Sequence, residues 1–275
     1  MEATEATDGF RPPQPGWHWA IWSAELAGTA LLVVGALSAV AWVLGDGSPF
    51  DSWSTGARLL VTGVLVGACV ALIAWSPLGR LSGAHINPAV TLAFFVTRHV
   101  CRHDLVGYVT AQFLGAFAGG VLFQWLWGDT ALSVGGGVTH PTVPVGEAVL
   151  LEAGMTAILV IVLLGFLSSR RLMRWTPLAL GVVIAVLVWK VAPSTGTSLN
   201  PARSEGPAIA FGDLDDLWLY FAAPIVGAVV VAAIWRSGAV PAHPITAKLF
   251  HDERYPCTLA TGAPARDSAS SHRAR

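Results

Sequence analysis

Asparagine occurs only twice in this 275-residue chain, at Asn87 and Asn200, and Pro-Ala follows both times. Proline inside a helix removes a hydrogen bond and crowds the preceding turn, but at the first helical position its missing N–H costs nothing. Each Asn-Pro-Ala therefore predicts a helix start, with Asn as N-cap and Pro and Ala as the first two helical residues. One start falls in each half of the chain, and both halves are apolar enough to lie in a bilayer. That pairing points to a pore.

The residues are 54% hydrophobic and 12% charged, with a mean hydropathy of +0.61, which marks a membrane protein. A spanning helix needs about 20 predominantly apolar residues. Uncharged stretches of that size run over 26–45, 59–79, 105–128 and 217–235; two weaker ones, 148–169 and 175–192, contain Glu152 and Lys190. Tryptophans at positions 17, 19, 42, 125, 127, 175, 189, 218 and 235 cluster near these ends, as an interfacial aromatic belt requires. The net charge of −1 and scattered basic residues give no sign of a nucleic-acid partner. Cys69, Cys101 and Cys257 imply no disulfide framework, and residues 1–16 lack the pattern of a cleaved signal peptide.

Short-loop arginines set the orientation. Arg80, Arg98 and Arg102 lie between spans two and three and Arg170, Arg171 and Arg174 between spans four and five, whereas residues 129–147 carry no Lys or Arg. The basic loops, and with them both termini, are expected on the cytoplasmic side of the plasma membrane. Residues 1–16 then form a cytoplasmic tail, residues 17–236 the membrane domain, and residues 237–275, which lack periodicity, a disordered cytoplasmic tail. Fourteen Arg against two Lys points to a GC-rich bacterial genome.

Segments 82–98 and 196–211 are apolar but too short to span, and are expected to be half-helices. Their irregular lead-in backbone survives at membrane depth only beside protein or a wet cavity. The halves also resemble each other: Glu25-Leu-Ala-Gly-Thr-Ala-Leu-Leu-Val-Val echoes Glu152-Ala-Gly-Met-Thr-Ala-Ile-Leu-Val-Ile, and Gln112-Phe-Leu-Gly-Ala echoes Pro224-Ile-Val-Gly-Ala. Three spans per repeat, over about 17–128 and 146–236, invert the second copy, so one half-helix enters from each side. Their N-termini would meet near the midplane, each carrying about half a positive charge. Each asparagine oxygen can cap its helix while the amide donates into the lumen. Two donors acting on one passing water would break the donor–acceptor alternation that proton hopping needs.

The motifs Ser-Gly-Ala-His-Ile-Asn-Pro-Ala-Val-Thr and Asn-Pro-Ala-Arg-Ser, with the Glu-led repeats and Tyr108-Val-Thr-Ala-Gln-Phe-Leu-Gly-Ala, resemble the aquaporin and aquaglyceroporin family over about residues 20–236. The resemblance implies an all-α membrane protein of six transmembrane helices plus two re-entrant half-helices, one pore per subunit, and a homotetramer. It implies a passive channel for water, with small neutral solutes as further candidates and protons and ions excluded, not an enzyme, with no cofactor and no metal. The pore motifs are Asn87, Pro88, Ala89 and Asn200, Pro201, Ala202.

Arg203 sits in the first turn of a helix, where a cation opposes the macrodipole, and the resemblance gives it a place at the outer constriction. Val188 and Thr197 match two further filter positions, and the fourth falls on Val66 or Gly67. This filter lacks the aromatic residues of the water-specific pattern, whereas Ser204, Ala208 and Tyr220-Phe221 differ from the glycerol-type pattern. Glycerol-type facilitation, a broader pore for urea or ammonia, and ion-coupled transport are the alternatives. Backbone carbonyls of Gly83, Ala84, His85, Gly196, Thr197 and Ser198 are the expected acceptor ladder. Glu25 and Glu152 could relay protons but better suit anchors for the re-entrant loops. His85 is read as a pore-side histidine, with gating by protonation as its alternative.

Overall fold

The computed structural model describes residues 11–255 and 257–261. Among them run nine α-helices: α1 Trp19–Leu44, α2 Thr55–Trp75, α3 Pro77–Ser82, α4 Pro88–Val96, α5 Arg102–Ser133, α6 Val145–Leu167, α7 Thr176–Thr195, α8 Pro201–Phe211 and α9 Leu217–Arg236. Helices α1, α2, α5, α6, α7 with its preceding 3-10 turn, and α9 are long and apolar enough to cross a membrane. The half-helices α4 and α8 complete the two copies, α1-α2-α4-α5 and α6-α7-α8-α9.

Two boundaries differ from expectation. The second span ends at Trp75 rather than near residue 79, because Pro77 cannot continue the helix; the Ser76 side chain instead caps α3, accepting from the Gly79 N–H at 3.3 Å. Helix α5 continues past Gly128, which turns the chain with a φ of +46°.

The packing repeats the sequence symmetry: α1 lies along α5, α6 along α9, and α2 pairs with α7 between the two copies. Lipid offers no apolar contrast to drive helices together, so contact depends on close approach. A Cβ on Gly67 of α2 would fall 2.2 Å from the Gly181 carbonyl oxygen of α7. Gly67→Val is therefore expected to destabilise the protein by about 1–3 kcal/mol, as overpacking does. Thermal unfolding of the detergent-solubilised protein checks this; a midpoint equal to the parent's contradicts the contact.

Residues 237–255 and 257–261, expected to be disordered, follow a defined path over the face where Arg11 meets Thr261, the terminal face. Ile245 N–H donates to Leu167 O at 2.9 Å, Leu249 N–H to Gly83 O at 2.9 Å and Ala260 N–H to His99 O at 3.0 Å, while Arg11 and Thr261 exchange backbone bonds. Ala247, Leu249, Leu259 and Ala260 are buried. The segment shows no helical or strand periodicity because its backbone partners are the loops beneath it. Residues 1–10, 256 and 262–275, including Ser268, Ser270 and Ser271, lie outside the described residues.

Candidate functional site: an apolar cavity with paired asparagines

Both half-helices begin as their sequences predict. Asn87 and Asn200 are extended N-caps, followed by proline at the first helical position. The Asn87 Oδ1 accepts from Ala89 N–H at 2.8 Å, and the Asn200 Oδ1 accepts from Ala202 N–H at 3.0 Å. The amide nitrogens were expected to point freely into the lumen, and half of that expectation changes. Asn87 Nδ2 donates to Leu199 O at 2.9 Å, and Asn200 Nδ2 donates to Ile86 O at 2.8 Å. Each amide thus ties its own helix start to the opposite loop and keeps one N–H for the cavity that both residues line.

The loops leading into these caps carry a turn that few residues adopt. Gly83 and Gly196, four positions before each asparagine, have φ of +101° and +75°; Ala84 and Thr197, then Ile86 and Leu199, follow with positive φ at matching positions. Positive φ at a β-branched residue is strained and persists only where surroundings impose it. Buried carboxylates impose it here. Glu25 accepts from Ser82 Oγ (2.8 Å), His85 N (2.9 Å), Ile86 N (2.7 Å) and Gln112 Nε2 (2.9 Å). Glu152 accepts from Thr195 Oγ1 (2.7 Å), Ser198 N (2.9 Å) and Leu199 N (2.9 Å), with Pro224 standing where the first copy has Gln112. Both glutamates are fully buried.

Two tyrosines complete the frame and were missed as structural groups. Tyr108 Oη donates to Ser82 O, and Tyr220 Oη donates to Thr195 O at 2.8 Å, each five positions before its asparagine. Their placement in equivalent spans of the two repeats was the available signal.

A cavity of about 350 Å³ runs between the helices. Its walls are single helical faces: Leu32, Ala36, Val40 and Leu44 of α1, Thr55, Leu59, Thr62, Val66 and Val70 of α2, and Leu180, Ile184, Val188 and Ala192 of α7. Steps of three and four residues are what keep one face of a helix to the lumen. Polar groups come from the loops: His85, Asn87, Gly196, Thr197, Ser198 and Asn200 all line it, as does Arg203.

Four residues expected at the outer constriction, Arg203, Thr197, Val188 and Val66, line the cavity together. Gly67 does not; it packs against Gly181 of α7. Gly83 and Ala84 also stand off the lumen, and the Gly83 carbonyl is occupied by Leu249 N–H. Half-buried Arg203 is aimed by a bond the sequence does not reveal, from its guanidinium to Gly137 O at 2.9 Å. Ser204 turns away from the lumen and links Thr139 Oγ1 (2.8 Å) to Ser198 Oγ (2.7 Å), fastening the far-side connection to the re-entrant loop.

His85 is fully enclosed, stacked on Phe94 and against Tyr108. Its Nε2 lies 2.8 Å from Ala247 O, which can only accept, so that nitrogen carries the proton. Lys190 holds its ammonium 3.5 Å from the centre of the Trp189 ring.

The family model for major intrinsic proteins matches residues 17–235. The chain belongs to the major intrinsic protein family. Among curated relatives of this major intrinsic protein are a probable aquaporin AqpM of Archaeoglobus fulgidus, 34% identical over 78% of this chain and 93% of the relative, and aquaporin A of Dictyostelium discoideum, 35% identical over 78% and 76%. Human aquaporin-4 is 32% identical over 80% of this chain and 68% of its own. Among solved structures, the aquaglyceroporin from Plasmodium falciparum matches with a TM-score of 0.65 and 23% identity, covering 82% of this chain and 98% of that one, a likeness of fold.

Proposed function

We propose that this major intrinsic protein is a passive channel that conducts water along the cavity and excludes ions and protons. The observation that carries the reading is the pair of reciprocally tied asparagine amides, set in a passage walled largely by the apolar faces of α1, α2 and α7. Two opposed helix N-termini add positive potential at the same depth, and the Arg203 guanidinium adds a full charge one turn further out. A cation meets that barrier without its hydration shell; a neutral molecule does not. The polar groups at the crossing are amides, which do not titrate, and the two buried carboxylates are engaged in holding the loops. That arrangement favours passive passage over ion-coupled transport.

Arg170, Arg171 and Arg174 share the terminal face with Arg80, Arg98 and Arg102, so both termini are assigned to the cytoplasm and the protein to the plasma membrane. Assembly as a homotetramer gains support from α6, where Gly154 and Gly165 meet nothing in their own chain and leave room for a neighbouring helix.

Osmotic shrinkage of proteoliposomes, followed by light scattering, tests the channel. Rates well above those of empty vesicles are expected; equal rates with protein inserted contradict it. A second reading, passage of glycerol-sized solutes, is favoured by Val66, Val188 and Thr197, which put no aromatic ring opposite Arg203. Val188→His is expected to cut any glycerol flux several-fold while sparing water, since it narrows the passage and adds a donor. Swelling in an inward glycerol gradient reads this out, and an unchanged glycerol rate removes Val188 from the filter.

A further inference from the structure

The cavity ends differently on its two sides. Toward the far face its lining reaches the last residue of α1, Leu44, and the first of α2, Thr55. Toward the terminal face the lining of α2 stops at Val70, short of Trp75, and that of α7 begins at Leu180, inside Thr176. At about 1.5 Å per residue, the helices themselves run roughly 6–8 Å beyond the void. The C-terminal segment contributes Leu249 to the lining there, in the same cavity as both asparagines and only 2% exposed.

We propose that residues 244–252 form an autoinhibitory cap, with Leu249 as a plug in the terminal mouth of the channel. The inference rests on the channel reading above. The cap is fastened to the re-entrant loop itself: Leu249 N–H donates to Gly83 O at 2.9 Å, and His85 Nε2 donates to Ala247 O at 2.8 Å. Lys248 Nζ donates to Arg80 O at 2.8 Å, and Arg80 in turn holds Asp252 at 3.1 Å. Hydrogen bonds from Arg254, joined by the Arg80 charge, keep the Asp252 carboxyl below the ordinary carboxylate range, so this outer clasp stays ionised at neutral pH.

The cap contains no helix or strand, and it is held by a short set of hydrogen bonds and the buried residues Thr246, Ala247, Lys248 and Leu249. Segments of that kind open locally at a small fraction of the free energy of global unfolding. Opening would remove Leu249 from the mouth without disturbing the spans, so conduction depends on the fraction of chains with the cap released.

The full chain in proteoliposomes tests this, with osmotic water permeability normalised to inserted protein for the parent, Leu249→Ala and Asp252→Arg. Leu249→Ala removes the plug; Asp252→Arg places a third cation beside Arg80 and Arg254 and expels the clasp. Each variant is expected to conduct about threefold faster or more than the parent, because permeability scales with the open fraction. Should one variant fail to insert, the other carries the same test. Both at the parent's rate, with the parent well above empty vesicles, overturns the cap and leaves the channel standing. All three at the rate of empty vesicles overturns the channel reading and the cap with it.

Discussion

Glu25→Ala is expected to prevent accumulation of folded protein, although residue 25 is buried inside a span and touches no solute. The substitution strands the backbone N–H groups of His85 and Ile86, which cannot turn elsewhere, together with Ser82 Oγ and the Gln112 amide. At about 1–3 kcal/mol per stranded donor, the two backbone groups alone account for roughly 2–6 kcal/mol, a large part of the 5–15 kcal/mol that typically holds a fold together. Glu152→Ala removes the equivalent support from Ser198 and Leu199 and is expected to behave alike. Glutamine at position 25 keeps one acceptor oxygen and falls between the two. Size-exclusion profiles after heating in detergent check the series; a Glu25→Ala midpoint within about 2 °C of the parent would falsify the anchoring role.

The second large effect concerns selectivity with the fold intact. Arg203→Val gives α8 the residue that α4 carries at the same offset, Val90, and removes a cation that opposes the helix macrodipole, so the protein is expected to fold as well as the parent. What disappears is a charge held in the cavity lining by Gly137 O. A cation about 4 Å from a guanidinium, at an effective dielectric of about 20, is repelled by about 4 kcal/mol. Even a fraction of that barrier predicts that sodium leak through proteoliposomes rises about tenfold or more, with urea and glycerol flux rising alongside. An unchanged sodium leak would show that the half-helix N-termini exclude cations unaided.

The spans, the half-helices and the capping asparagines were legible because each is local: about 20 apolar residues, a proline at the first helical position, a carbonyl side chain before it. The glutamate anchors were legible because the repeat shows them twice. The contacts that assemble the site are not local. Asn87 reaches Leu199 and Asn200 reaches Ile86 across the whole repeat, and Arg203 finds its acceptor in a glycine-rich loop that carries no charge of its own. The choice between Val66 and Gly67 has a physical source in the break at Pro77, which ends α2 early and shifts the count; that Gly67 packs on Gly181 is a contact between distant residues. The path of residues 237–255 and 257–261 was not legible because it is set by carbonyls and side chains of the loops they cross, which leave no periodic trace in the segment's own residues.

The central claim is that two tied asparagine amides, set between opposed half-helices, let water through and stop protons. The most direct measurement follows both fluxes in the same proteoliposomes, osmotic shrinkage by light scattering and proton leak by an enclosed pH-sensitive dye. Fast shrinkage is expected, with a proton leak no greater than that of empty vesicles. Shrinkage at the empty-vesicle rate, or a proton leak that rises in step with the water, would contradict it.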